Sequence, residues 1–368
     1  MGALPNHINI LLKFVQNLNK TGFLIKLTWE RSQNYMNLES IAKLSGVSRS
    51  TVSRVINDSP NVSSAAREKV LSVIQQVDFQ PNIAARSLAA GKTQVIGLVI
   101  PTHITRLFSD PFFPLLIQGI SSSCNASDFS VMLWLSEPEH ERRMIRKILY
   151  NGIIDGVIIS SSVINDPLVN ALKERDLPFV MVGEPIDKEN TNFVDVDNQS
   201  GALRAVLHLA RIGYKKIATI TCALNTAVGI SRLAGYEEAL HQANLKFDSK
   251  LVMEGDFSQE SGYILTKRLL VQKPDAIFVA SDPMAQGCYR ALHEAGLTIG
   301  KDIAIVGFDD LPFSPHMSPP LTTVRQPIIN MGQMAVEILI NSIQDANRPV
   351  RQLYLPTELI VRSSCGLS

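Results

Sequence analysis

Two hydrophobic textures alternate along the chain. Between Asn37 and Val77 apolar residues recur at helical spacing in three stripes: Leu38, Ile41, Ala42 and Leu44; Val52, Val55 and Ile56; and Val70, Leu71, Ile74 and Val77. Asn37 can cap the first predicted helix, Ser48 the second (Arg49 to Ile56), and Ser63 or Ser64 the third. Gly46 permits a tight turn between the first two and Val47 anchors that turn, which is the pattern of a helix-turn-helix. Beyond Thr93 the texture changes to short apolar runs separated by helical stretches: VIGLVI, SVMLWL, GVIIS, FVMV, IATIT, AIFVA and IAIVGF. Such runs predict parallel βαβ layers with strands buried on both faces.

A chain of 368 residues with 45% hydrophobic content can fill two or three cores. Its net charge of +1 is unevenly placed: residues 36–92 carry seven Lys or Arg against four Asp or Glu, and 93–368 carry 24 against 29. A small basic module joined to a larger acidic one suits a partner rich in phosphate at the N-terminal end. The four cysteines, Cys124, Cys222, Cys288 and Cys365, show no C-x-x-C pairing, so reduced thiols are expected and neither a zinc site nor a disulfide framework is. No run of about 18 apolar residues predicts a membrane span. In residues 1–35, Ile8, Leu11, Leu12, Val15 and Leu18 fall at helical spacing, but Lys13, Asn17 and Asn19 interrupt them and no small-residue cleavage site follows. We expect translation to begin at Met36, with 1–35 a poorly ordered or non-native extension, and a cytoplasmic, nucleoid-associated protein.

On the second helix the apolar side leaves Arg49, Ser50, Ser53 and Arg54 on the opposite face. Arg can donate two hydrogen bonds to guanine, and Ser hydroxyls reach bases or phosphates, so base reading is expected of Arg49, Ser50 and Arg54. A small helical bundle with a solvated charged face is the alternative. The motif LESIAKLSGVSRSTVSRVIN, followed by VSSAAREKVLSVIQQVDFQPNIAARSLAAGKT, resembles the headpiece and hinge of the lac repressor (LacI/GalR) family of bacterial transcriptional regulators. That resemblance implies phosphate contacts from Thr51, Ser53 and Asn57. It also implies a hinge helix within Pro81 to Gly91, in which Leu88 enters the minor groove with Asn82, Ala84 and Ala85 beside it. So short a helix is marginal in water and is expected to order only in a dimer against DNA, where an apolar wedge kinks the duplex.

In layered α/β folds ligands bind beyond the carboxyl ends of the strands. The residues there are Asp110, Phe112 and Phe113; Trp134; Glu184; Asn225 and Thr226; Arg232, at a predicted helix start; Phe257; Ser281 and Asp282; and Asp309 and Asp310. Aromatic faces, carboxylates and a guanidinium suit a sugar-like ligand, and a purine could use the same parts. The stretches RLAGY, ASDPMAQG, IAIVGFDD, PPLTTVRQP and LIVRSSC extend the resemblance to about nine-tenths of the chain. It implies ligand contacts from Arg232, Asp309 and Ser281, with Ser281 standing where Asn is often found. Candidate contacts from Phe112, Phe113, Phe257, Glu184 and Trp134 complete the set.

The expected fold is an all-α helix-turn-helix headpiece (36–80), a hinge (81–93) and a two-lobed periplasmic-binding-protein-like α/β domain (94–368) of two doubly wound parallel sheets. The N-lobe is placed at about 94–195 and 326–354 and the C-lobe at about 196–325 and 355–368, with crossovers near Asp195, Arg325 and Leu355. No leucine heptads follow the last domain, so a homodimer on a palindromic operator is expected, without cofactor, metal or membrane partner. Two other readings are a solute-binding receptor, which would need an export signal and no SRSTVSR, and an enzyme using Asp309–Asp310. No G-x-G-x-x-G after the first strand, P-loop or nucleophile supports the enzyme.

Overall fold

A computed structural model describes residues 37–56, 59–79, 93–101, 104–135, 145, 148, 152–160, 163–164, 166–185, 187–345 and 347–366. The chain divides into two compact units, Met1–Gly91 and Lys92–Ser368. The described part of the first unit holds three helices: α1 (Leu38–Ser45), α2 (Arg49–Ile56) and α3 (Ser64–Gln76). Asn37 caps α1 by accepting from the Ser40 N–H (2.9 Å), and Gly46 ends it at φ 69°, a left-handed conformation that glycine adopts without strain. Ser48 Oγ accepts from the Thr51 N–H at the start of α2 (3.2 Å), and Ser63 caps α3. Ile41, Ala42, Val52, Val55 and Val70 form the buried centre. Two expected core positions are solvent-facing instead: Leu44 is 58% and Leu71 50% exposed. At 3.6 residues per turn each lies roughly 100–110° around its helix from the centre of the buried stripe.

The second unit contains two six-stranded sheets. The N-lobe sheet has the order β11-β5-β4-β3-β1-β2, comprising β1 (Val95–Ile100), β2 (Ser130–Leu135), β3 (Gly156–Ser160), β4 (Phe179–Val182), β5 (Phe193–Val196) and β11 (Gln352–Leu355), all paired in parallel. The C-lobe sheet, β12-β10-β9-β8-β6-β7, is parallel except where β10 (Thr322–Arg325) meets β12 (Glu358–Ile360). Its other strands are β6 (Ile217–Thr221), β7 (Val252–Glu254), β8 (Ala276–Val279) and β9 (Ala304–Asp309). The helices that concern the site are α4 (Ile104–Ser109), α5 (Phe112–Ala126) and α6 (Pro167–Glu174) in the N-lobe, and α7 (Asn198–Arg211), α8 (Ala227–Gln242), α9 (Gln259–Leu269) and α10 (Asp282–Glu294) in the C-lobe. The N-lobe also contains α11 (Ile328–Gln344).

Strand alternation divides the N-lobe core into two layers. Ile96, Leu98 and Ile100 pack with α5 and α11, while Val99, Val157, Ile159 and Met181 pack with α6. The C-lobe has one large cluster around Tyr236, Phe278 and Phe308. The chain passes between lobes after β5, after β10 and after β11, so three short segments meet where the lobes face each other.

Candidate functional site

On α2, Val52 and Val55 are buried, whereas Arg49, Ser50 and Arg54 are exposed and Thr51 and Ser53 half-exposed. This puts two guanidiniums and four hydroxyls, counting Ser48, on one outward face. Ser48 Oγ lies 2.8 Å from both Ser50 Oγ and Thr51 Oγ1, so the hydroxyls cluster at the amino end of the helix. There, the helix dipole favours an anion such as phosphate. Asn57, Asn82, Ala84, Ala85 and Leu88 lie outside the described residues.

A cavity with about 830 Å³ of empty space, counting its open mouth, lies between the lobes of the second unit. It is lined at strand ends in both lobes by Ser160, Gly183 and Asp195 and by Thr226, Phe257 and Asp309, with Arg232 beneath. Phe112 and Phe113 also line it, their rings packed edge to face at 5.5 Å. Asp110 joins them; its carboxylate accepts from the Phe112 N–H at 3.0 Å. Thr226 caps α8, so Arg232 sits within that helix and not at its start. Five of the candidate residues, Arg232, Asp309, Phe112, Phe113 and Phe257, therefore share one cavity.

Arg232 is 3% and Asp309 6% exposed, with Nη1 3.5 Å from Oδ1. Arg232 also donates from Nε to Asn198 (2.9 Å) and from Nη1 to the Ala280 carbonyl, and stacks over Phe308 at 3.6 Å. Gln326 donates to Asp309 at 2.6 Å. Burial raises the Asp309 carboxyl well above the usual carboxylate range; Arg232 opposes the shift, while Asp282 and Asp110 add to it. Asp309 and Asp310 have φ values of 125° and 55°, and Phe257 has 70°. Such strain in non-glycine residues persists where surrounding contacts fix the backbone, as at ligand clamps.

Three candidates do not line the cavity. Trp134 faces the opposite layer of the N-lobe sheet, against Ile154 and Gly97, where a Cβ would come 2.8 Å from its ring. Glu184 turns to Lys188 and to the Tyr354 hydroxyl (2.9 Å). Ser281 is buried at the start of α10, and its hydroxyl has no partner among the described residues. Asp282 is a fully buried hub that accepts from the Leu311 N–H (3.0 Å) and the Ser314 and Thr323 hydroxyls (both 2.6 Å). Asp310 pairs with Arg325 and Arg362, each at 2.7 Å.

Sequence reasoning did not select Arg106, Asn198 or Gln326, and it used Asp195 only as a boundary. Asp195 accepts from the Glu184 and Val196 N–H groups (2.8 and 2.7 Å) and from Asn198 (3.1 Å); burial pushes its carboxyl up to about 6. Asp195, Asn198, Arg232, Asp309 and Gln326 thus form a polar chain joining two lobe crossovers. The available signal was a carboxylate inside the apolar run FVDV, since a buried charge without a partner is prohibitively costly. Among the described residues no group of three or more His, Cys, Asp or Glu could hold a metal ion, and no helix is long and apolar enough to cross a membrane.

The chain matches the family model for bacterial regulatory proteins of the lacI family over residues 37–82, and that for a periplasmic binding protein-like domain over 206–365. It is 37% identical to the HTH-type transcriptional regulator CelR of Thermobifida fusca, an alignment spanning 89% of this chain and 97% of that one. A solved complex of the transcriptional regulator CelR with cellobiose superposes with a TM-score of 0.72 at 34% identity, covering 89% of this chain and 99% of the other. The lac repressor dimer bound to operator and the anti-inducer ONPF gives 0.79 at 28% identity, with 90% and 99% covered. With a DNA-binding helix-turn-helix and a two-lobed α/β domain both in place, the chain belongs to the lacI family of bacterial transcriptional regulators.

Proposed function

We propose that this chain is a repressor that binds palindromic operator DNA as a homodimer and whose operator affinity is set by a small sugar held between the lobes. The observation that carries the reading is the buried Arg232–Asp309 pair in the interlobe cavity, wired to two crossovers through Asn198 and Gln326. A ligand hydroxyl can donate to Asp309 and accept from Arg232, while Phe112, Phe113 and Phe257 cover its C–H face. Such a ligand touches both lobes, so its binding energy differs between open and closed arrangements, as any effect on a distant DNA surface requires. The cellobiose complex of CelR favours a neutral sugar over a purine. Because Asp310 is committed to Arg325 and Arg362, the adjacent carboxylates do not act together in the cavity, which supports binding over catalysis.

On the DNA side, Arg49, Ser50 and Arg54 read bases, Thr51, Ser53 and Asn57 hold phosphates, and Leu88 with Asn82 and Ala85 enters the minor groove. The lac repressor–operator complex supports this assignment, and the outward face of α2 supplies its chemistry. Thermal unfolding against sugars, sugar acids, nucleosides and purines tests the ligand class, because a ligand of the native state raises stability by mass action. Cellobiose or a related disaccharide should raise the melting temperature. A rise with purines alone would replace the sugar reading.

A further inference from the structure

Arg106 on α4 lines the interlobe cavity. Its guanidinium carbon lies 5.7 Å from the centroid of Phe113 and 4.5 Å from that of Phe257. Phe113 belongs to N-lobe helix α5 and Phe257 to the C-lobe loop after β7, so one planar cation touches an aromatic ring from each lobe. Phe257 is held in the left-handed region, which fixes where its ring can meet the guanidinium. The Arg106 Nε is buried and has no acceptor among the described residues. A buried guanidinium donor without a partner is costly, and a ligand oxygen would relieve that cost.

The lobes also touch through backbone alone. Val163 forms a β-bridge with Thr226, and the Ile164 N–H donates to the Asn225 carbonyl at 3.0 Å. Val163 and Thr226 also line the cavity, but their bridge uses neutral backbone groups. The Arg106–Phe257 contact involves a full charge: a cation–π contact strengthens when water is excluded, and a ligand in the cavity excludes it.

The geometry points to Arg106 as the residue that couples ligand occupancy to lobe closure, its Nε–H donating to a hydroxyl or ring oxygen of the ligand while its face bridges Phe113 and Phe257. Asp110 supplies the matching acceptor on the same lobe, so the N-lobe offers a donor–acceptor couple opposite that of Arg232 and Asp309. The inference rests on reading the cavity as the effector site.

Spin labels at Glu174→Cys and Glu237→Cys, both exposed and one on each lobe, report the interlobe distance; the four native cysteines are buried and remain unlabelled. Without ligand, R106A should broaden the distance distribution toward longer values. R106K should do the same to a smaller extent, because Lys keeps the charge but lacks the plane and the Nε–H. R106A should also weaken cellobiose binding by about tenfold or more in calorimetric titration, with the fold checked by circular dichroism. A distribution superimposable on that of the wild type, or a cellobiose Kd unchanged within about twofold, overturns the inference. If cellobiose and other disaccharides fail to bind the wild type, the sugar reading falls, and the ligand-free distance distributions still decide whether Arg106 holds the lobes together.

Discussion

Helix α2 and the interlobe cavity place their candidate side chains in opposite environments. Arg49, Ser50 and Arg54 stand in solvent on α2 and keep their hydration there. Arg232 and Asp309 are almost wholly buried and already satisfied by each other, by Asn198 and by Gln326. The exposed face needs from its unit only a helix held at the right angle, and a thin core of Ile41, Ala42, Val52, Val55 and Val70 does this. The cavity needs a low-dielectric setting in which each hydrogen bond counts for more, and the Arg232–Asp309 pair is therefore tolerable only with its partners complete. A polyanionic partner brings its own long-range attraction, whereas a neutral ligand does not, so a site for the second kind must be preorganised.

The largest expected effect breaks the complete set. Arg232→Met should cost the second unit about 3–5 kcal/mol in calorimetric or urea unfolding at about pH 9, above the Asp309 value of about 8, because it strands a buried carboxylate. The deficit should shrink on acidification as Asp309, already raised, takes a proton. A pH-independent loss below about 1 kcal/mol would mean that the pair is not electrostatically coupled. Next, Ile41→Ala should cost about 2–5 kcal/mol in a unit with few buried side chains among its described residues and abolish DNA binding. Disaccharide affinity should be untouched; a matching loss there would show that the two units do not fold separately.

That contrast also decides what could be read from sequence. The headpiece was legible down to its caps, Asn37, Ser48 and one of the pair Ser63 or Ser64, of which Ser63 does the capping, because helical period, capping chemistry and Gly46 are local signals. Leu44 and Leu71 misled, since an apolar residue at a three-residue step, or next to a core position, need not fall inside a narrow buried stripe. Strand ends located the cavity, as the parallel sheets dictate, and so found Arg232, Asp309 and the phenylalanines. Trp134 and Glu184 failed for a different reason. A residue near a strand end can face either layer of the sheet, and Gly97 and Tyr354, distant in sequence, decide where these two side chains go. Arg106 was missed because its partner Phe257 is far along the chain and in the other lobe.

A smaller effect sharpens the DNA side. Arg54→Ala should cost about 1–3 kcal/mol for specific DNA while leaving nonspecific binding nearly unchanged in fluorescence anisotropy. Equal weakening of both would make Arg54 a phosphate contact. The subtlest concerns Asp195, whose pKa burial raises from 3.8 to about 6. The native protein then binds a proton that the unfolded chain does not between those values. Its contribution to stability is fully present below pH 3.8 and is lost as pH rises through about 6. Relative to Asp195→Asn, wild-type stability should fall across that window; parallel stability–pH curves would place the Asp195 carboxylate in a wetter setting.

Occupancy of the interlobe cavity is expected to set affinity for DNA. Titration of the full chain with a selected palindromic operator, with and without saturating cellobiose, or whichever sugar raises the melting temperature most, reads this coupling. The operator Kd should change by about tenfold or more, corresponding to a coupling free energy of about 1.4 kcal/mol, and the change should vanish in Asp309→Asn. A sugar that binds the wild type yet leaves its operator Kd unchanged would show that the cavity does not control DNA binding.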